Sequence, residues 1–338
     1  KTFIYASIIT STIAVTSSNS WLLAWLGLEL NLFAVLPLIS KTKHPRSIEA
    51  ATKYFLTQVT ASCLLLSAST INAWQTGTWS ITQMPGLLPT TTMLIALTLK
   101  MGTAPTHFWL PEVMQGTTLI TSLLISTWQK IAPMTLLFTM SNHLPQNLSL
   151  ILGLLSTLVG GWGGMNQTQL RKIMAFSSIA NTGWTLMVMA SEPKTSMTNF
   201  FLYILLTTPM FMTMIRTSTK TLQDMMTIWT TSTTTSIMLT LLMLSIAGLP
   251  PLTGFMPKLL ILNELVTQNL TPAAMITAMT SLLTLVFYLR ITYLTSILSP
   301  PNSSTSTAKW RQNMNNTGTA AMTPTATISM PALPTLLH

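Results

Sequence analysis

The stretch WLLAWLGLELNLFAVLPLIS, residues 21–40, carries a single charge, and runs of the same kind follow one another along the chain. About twenty apolar residues carry a helix across the hydrocarbon layer of a bilayer. Cutting at charges, prolines and Asn/Ser clusters gives eleven such runs, at 3–19, 21–40, 52–74, 87–112, 117–140, 148–166, 171–190, 196–215, 236–266, 272–298 and 320–338. The chain therefore reads as an all-α membrane protein of about eleven transmembrane helices, forming one domain over 1–338.

Charge supports this reading. Only 7% of the 338 residues are charged and the mean hydropathy is +0.52, whereas a soluble domain is about 25% charged. The net charge of +10 belongs to loops beside the membrane, because no Lys/Arg cluster is interleaved with aromatics as a nucleic-acid surface requires. Eleven spans put Lys1, Lys41, Lys43, Arg46, Lys53, Arg171, Lys172, Arg216, Lys220, Lys309 and Arg311 on one side and only Lys194 on the other. By the positive-inside rule the N-terminus and the basic loops face the inner side. The first residues read as a span, since no small-residue cleavage site follows them. The lone Cys63 excludes an internal disulfide and a protein-ligated iron–sulfur cluster.

Four charges remain deep inside apolar runs: Glu29, Lys100, Lys130 and Lys258. Each such charge near the bilayer centre costs roughly 2.5–3.5 kcal/mol, so together they rival the stability of a typical domain and point to a function. Burial weakens the hold of an ammonium on its proton and a nearby carboxylate strengthens it, so a movable Glu29 beside Lys100 would load and unload a proton. Arg290, Glu112 and Glu264 lie toward span ends, where a structural role is expected. The Asn-X-Ser/Thr matches at Asn147, Asn166, Asn269, Asn302 and Asn315 are expected by chance in this composition.

Two runs are broken by helix-disrupting residues. Gly102, Pro105 and Pro111 follow Lys100, and Gly248, Pro250, Pro251 and Gly254 precede Lys258. A broken helix survives in a bilayer only where it faces protein or water, so each break predicts a hydrated cavity. Matching interruptions in two halves point to two inverted antiporter-like repeats, each with a discontinuous helix and an ion path at the midplane. The halves fall at spans two to five and seven to ten. His107, just past the first break, is a candidate relay, with helix packing as the alternative. GGWGG at 160–164 lacks dinucleotide-binding spacing and reads as close helix packing.

TKYFLTQ (52–58), HFWLPEV (107–113), GGWGGMNQTQLRKIMAFSSIA (160–180) and GLPPLTGFMPK (248–258), in this order, resemble the second-subunit family of mitochondrial NADH:ubiquinone oxidoreductase, respiratory complex I. The resemblance extends over essentially the whole chain. It implies kinship with cation/proton antiporters, eleven spans, the mitochondrial inner membrane with basic loops toward the matrix, and proton pumping driven by quinone reduction elsewhere in the complex. It further implies no cofactor or metal in this chain, with NADH, FMN, iron–sulfur clusters and ubiquinone held by other subunits. The implied partners are other membrane subunits of the complex, especially the neighbouring antiporter-like ones, and the lipid bilayer. By resemblance Glu29 and Lys100 form the family's Glu/Lys pair, Lys130 is the central relay lysine, Lys258 the lysine of the second half-channel, and His107 a histidine beyond the first break. Asn181 departs from the pattern, standing where relatives often carry His. Two other readings stay open at this stage, a free-standing sodium/proton exchanger and a non-pumping structural subunit.

Overall fold

The computed structural model describes residues 2–42, 44–230, 232–297 and Thr323. The eleventh expected span, 320–338, lies outside the described residues apart from Thr323, as do the polar connection 301–318, Lys1 and Lys43. The helices are α1 (Thr2–Thr16), α2 (Trp21–Ile39), α3 (Pro45–Thr76), α4 (Leu87–Met101), α5 (Trp109–Gly116), α6 (Leu119–Ser126), α7 (Ile131–Thr139), α8 (Gln146–Met165), α9 (Leu170–Met189), α10 (Pro193–Thr217), α11 (Leu222–Met226), α12 (Thr233–Ala247), α13 (Phe255–Thr267) and α14 (Thr271–Ser296). Among the described residues strand pairing is limited to isolated bridges, Ser20 with Ser80 and Gln169 with Thr221. Among the described residues five helices, α2, α3, α8, α10 and α14, are each long and apolar enough to cross a bilayer, and the protein is an all-α, multi-pass membrane protein.

Helix α3 has 32 residues, about 48 Å at the standard rise and longer than the hydrocarbon layer. The excess lies at its start, where Arg46, Glu49 and Lys53 sit. Its first turn is fixed locally. His44 accepts a hydrogen bond from the Arg46 amide at 3.2 Å, its own amide donates to the Ser47 hydroxyl at 3.1 Å, and Pro45 occupies the first helical position, where a missing N–H costs nothing.

The abundant Ser and Thr do not break the helices, because their hydroxyls bond back to carbonyls one turn earlier. Ser122 donates to Leu119 at 2.8 Å, Thr182 to Ser178 at 2.9 Å and Thr207 to Tyr203 at 2.8 Å. Each hydroxyl thus brings its own partner into an apolar setting.

The chain divides into two compact units, Lys1–Ser156 with Thr185–Pro193, and Thr157–Trp184 with Lys194–His338. In the first, α1 packs on α2 and α7, while α3 packs on α2, α4 and α5. In the second, α14 packs on α11, α12 and α13. The expectation of close packing at GGWGG is met there. A methyl group on Gly160 would lie 2.7 Å from the Ala180 amide nitrogen, and one on Gly163 would meet Phe176. Gly161 and Gly164 approach Leu283 and Phe287 of α14 in the same way, each at 2.9 Å. The residues at i, i+3 therefore press α8 between α9 and α14.

One expected span has an interruption that the sequence reading overlooked. The run 117–140 divides into α6 and α7 around a tight 3-10 turn at Trp128–Lys130. Pro133 explains it, since its ring has no N–H for the Gln129 carbonyl and crowds that position in a continuous helix.

The packing of α8 gives a test. Gly160→Ala meets backbone rather than a movable side chain, so it should destabilise the protein by about 1–3 kcal/mol. Heat inactivation of the purified assembly should occur at lower temperature than in the wild type, and an unchanged profile would refute the close-packed reading.

Candidate functional site

The two predicted breaks are built alike. Helix α4 ends at Gly102 (φ +76) and α12 at Gly248 (φ +84), both in the left-handed region that glycine adopts without steric penalty. At each end the glycine amide and the next amide turn back onto the last helical carbonyls. Gly102 and Thr103 donate to Thr98 at 3.0 and 3.2 Å, and Gly248 and Leu249 donate to Ser245 and Leu244 at 3.0 and 3.3 Å. This glycine-capped ending satisfies part of the carbonyl set that a helix C-terminus leaves open. Irregular segments of equal length, 102–108 and 248–254, then lead to α5 and α13. Each contains a cis X–Pro bond, Ala104–Pro105 and Pro250–Pro251. The second segment packs tightly, and a methyl group on Gly254 would collide with the Ser245 carbonyl oxygen.

In the first unit Lys100 and Lys130 line one cavity of about 20 Å³, together with Asn31, Tyr54, Gln58 and Gln129. Lys100 is 6% exposed and Lys130 1%. Thirty residues apart in sequence, the two lysines reach one cavity because α4 ends just past one and the 3-10 turn presents the other. The amides of the lining are hydrogen-bonded. Gln129 donates to Asn31 Oδ1 at 3.0 Å, and Gln58 donates to the Lys100 carbonyl at 3.3 Å. A site of this size and polarity admits a water molecule.

Glu29 acts electrostatically on Lys100 and on Tyr54, and one of its carboxylate oxygens is buried without a hydrogen-bond partner. The described ion pairs within 4.0 Å join Lys53 to Glu49 and Glu112, and Glu29 forms none with Lys100. The expected Glu/Lys couple is therefore held apart as a through-space interaction. His107 is buried in the first break, with Nδ1 3.3 Å from the Pro105 carbonyl and its ring 4.2 Å from that of Phe108. It is not among the residues that line the Lys100–Lys130 cavity.

Lys258 lies in the second unit. Its ammonium reaches back across the break and donates to the Ala247 carbonyl at 2.7 Å. That carbonyl belongs to the last residue of α12, at the negative end of the helix dipole, where a cation is favoured. Lys258 also lines a cavity of about 10 Å³ with Ser177, Asn181, Trp184, Thr284 and Tyr288. Asn181, noted for its departure from the family pattern, thus stands beside the lysine.

Two of the charges expected to be structural, Arg290 and Glu112, have structural partners. Arg290 donates to the Met165 carbonyl at the end of α8, at 3.0 Å. Glu112 on α5 pairs with Lys53 on α3 at 2.6 Å, both side chains being partly exposed. The sequence reading missed Asn31, Tyr54, Gln58 and Gln129. The signal was present, because an amide in an apolar run costs free energy unless it finds a partner, and Gln58 ends one of the quoted motifs.

The profile of the NADH:quinone oxidoreductase/Mrp antiporter transmembrane family matches residues 18–284, and that of the NADH dehydrogenase subunit 2 C-terminus matches 285–337. NADH-ubiquinone oxidoreductase chain 2 of Aquarana catesbeiana is 50% identical over 99% of this chain and 98% of its own length. The proteins of the same name from Salmo salar and Gallus gallus are 50% and 47% identical over 92% and 98% of this chain, and 89% and 96% of their own lengths. Among solved structures, a chain of respiratory complex I from Thermus thermophilus with bound aureothin superposes with a TM-score of 0.84 at 22% identity, over 98% of this chain and 79% of that one. A chain of the Mrp complex from Dietzia sp. DQ12-45-1b superposes with a TM-score of 0.79 at 17% identity, over 88% and 61%. At these identities the likeness is one of fold.

The amide bridge in the first cavity is measurable. Asn31→Ala removes the acceptor of the partly buried Gln129 amide and should cost about 1–3 kcal/mol. Gln129→Ala added to it should cost much less than Gln129→Ala alone, because the two groups share one interaction. Additive losses in thermal stability would show that the bridge carries no coupling.

Proposed function

This chain belongs to the NADH-ubiquinone oxidoreductase chain 2 family, and from that premise we propose that it translocates protons as an antiporter-like core subunit of respiratory complex I, with the redox chemistry in other subunits. The observation that carries the reading is the shared polar cavity of Lys100 and Lys130, two buried lysines that line it together with amides that hold hydrogen-bonded positions without taking up charge.

In this reading the chain is one antiporter-like domain of eleven spans. Helices α4 and α5, and helices α12 and α13, form the discontinuous spans of two inverted repeats. The matched glycine caps and equal irregular segments support the pairing. The protein lies in the mitochondrial inner membrane with its N-terminus and basic loops toward the matrix, in contact with neighbouring antiporter-like subunits and lipid. NADH, FMN, iron–sulfur clusters and ubiquinone belong to other subunits.

Lys100 and Lys130 hold the translocated proton in the first unit and Lys258 holds it in the second. Glu29 sets the proton affinity of Lys100 by its distance, and its unpartnered carboxylate oxygen supports a group free to change position. His107, buried within the first irregular segment, is the relay candidate there. Each proton moved against the membrane potential requires about 2.3 kcal/mol per 100 mV, a scale that changes in a buried charge interaction reach.

Lys130→Met in the assembled complex is the test. It keeps the length and apolar stem of the side chain and removes the ammonium, so assembly and NADH oxidation should persist. Protons moved per NADH in sealed vesicles should drop severalfold. Unchanged pumping would leave a structural subunit in place of a pump.

A further inference from the structure

The cavity beside Lys258 contains a hydroxyl without a closed hydrogen bond. The Asn181, Ser177 and Thr284 donors are committed to their own helices. Asn181 donates to the Ser177 carbonyl at 2.9 Å, Ser177 to the Met174 carbonyl at 2.8 Å, and Thr284 to the Ser281 carbonyl at 2.8 Å. Tyr288 is 1% exposed, and its hydroxyl lies within reach of Ser177 without closing a hydrogen bond. A buried hydroxyl left without a partner keeps its desolvation penalty, which phenylalanine at this position would avoid. Phe287 next to it shows that the helix accepts that residue type, with the two ring centroids 4.4 Å apart.

The chemistry of the lining is also restrictive. Ser177, Ala180, Asn181, Trp184, Ile246 and Thr284 exchange no proton in the ordinary range, so Lys258 and Tyr288 are the titratable groups of this cavity. Its volume of about 10 Å³ is near the smallest that holds one water. Lys258 spends one N–H on the Ala247 carbonyl and keeps two for other acceptors.

We propose that Tyr288 is the proton-relay residue of the second unit. A water between the two side chains accepts a proton from the Lys258 ammonium and passes one of its own to the phenol oxygen. The phenol O–H releases its proton to the next water or hydroxyl in the same step. Water and phenol end neutral, Lys258 ends as the amine, and one proton has moved on. Asn181, locked to the Ser177 carbonyl, orients the site without carrying charge. The inference rests on the proton-translocating reading of this chain.

Tyr288→Phe in the assembled complex removes only the hydroxyl. Since that group closes no full hydrogen bond within the protein, assembly and heat stability should be kept, while protons moved per NADH should fall as far as they do in Lys130→Met. Asn181→His added to Tyr288→Phe puts an ionisable ring beside Lys258 and should restore pumping, an outcome that a packing role cannot produce. Wild-type pumping in Tyr288→Phe overturns the proposal. So does failure to assemble, or a loss of pumping that Asn181→His does not restore, because each assigns the hydroxyl to structure. Unchanged pumping in Lys130→Met would instead sink the functional reading on which the proposal stands.

Discussion

An ammonium group taken out of water must be solvated by something else, and the arrangement of this protein follows from how three lysines meet that demand. The hydrocarbon around a membrane helix offers no hydrogen-bond partner, and an uninterrupted helix spends its carbonyls on itself. Interrupting the helix releases carbonyls and makes room for polar side chains. Lys100 precedes the end of α4, Lys130 sits in the turn between α6 and α7, and Lys258 follows the break after α12. The same backbone irregularity that would be costly in lipid is what makes each charge tolerable.

The three lysines are solvated in different ways, and the differences bear on mechanism. Lys258 takes a helix-terminal carbonyl directly, a strong and local contact that also stabilises the end of α12. Lys100 and Lys130 instead share a cavity with amides and a tyrosine. Glu29 acts on Lys100 without being locked to it in an ion pair. A fully formed buried pair would hold both partners in place and resist exchange.

The helices around these sites are made rigid by means that add no charge. Hydroxyls bond back to their own helix, glycines bring α8 against α9 and α14, and Arg290 closes the end of α8. Lys53, Glu49 and Glu112 tie α3 to α5 where the side chains are partly exposed and the penalty of charge is small. Rigid packing matters here because proton transfer depends on donor and acceptor separations that tenths of an ångström alter.

The sequence alone carried the membrane class, because hydropathy and charge act residue by residue and need no partner. It also marked the two breaks, since glycine and proline are local backbone constraints, and it marked the buried charges, since their cost depends on depth within a run. It missed the third interruption, although Pro133 was visible, because a single proline in an apolar run reads as a tolerated kink. Only the tertiary structure joined Asn31 to Gln129 across 98 positions, brought Lys100 and Lys130 to one cavity, and turned Lys258 back onto Ala247. Those contacts depend on which faces of separate helices meet, and a periodic run of apolar residues does not specify its neighbour.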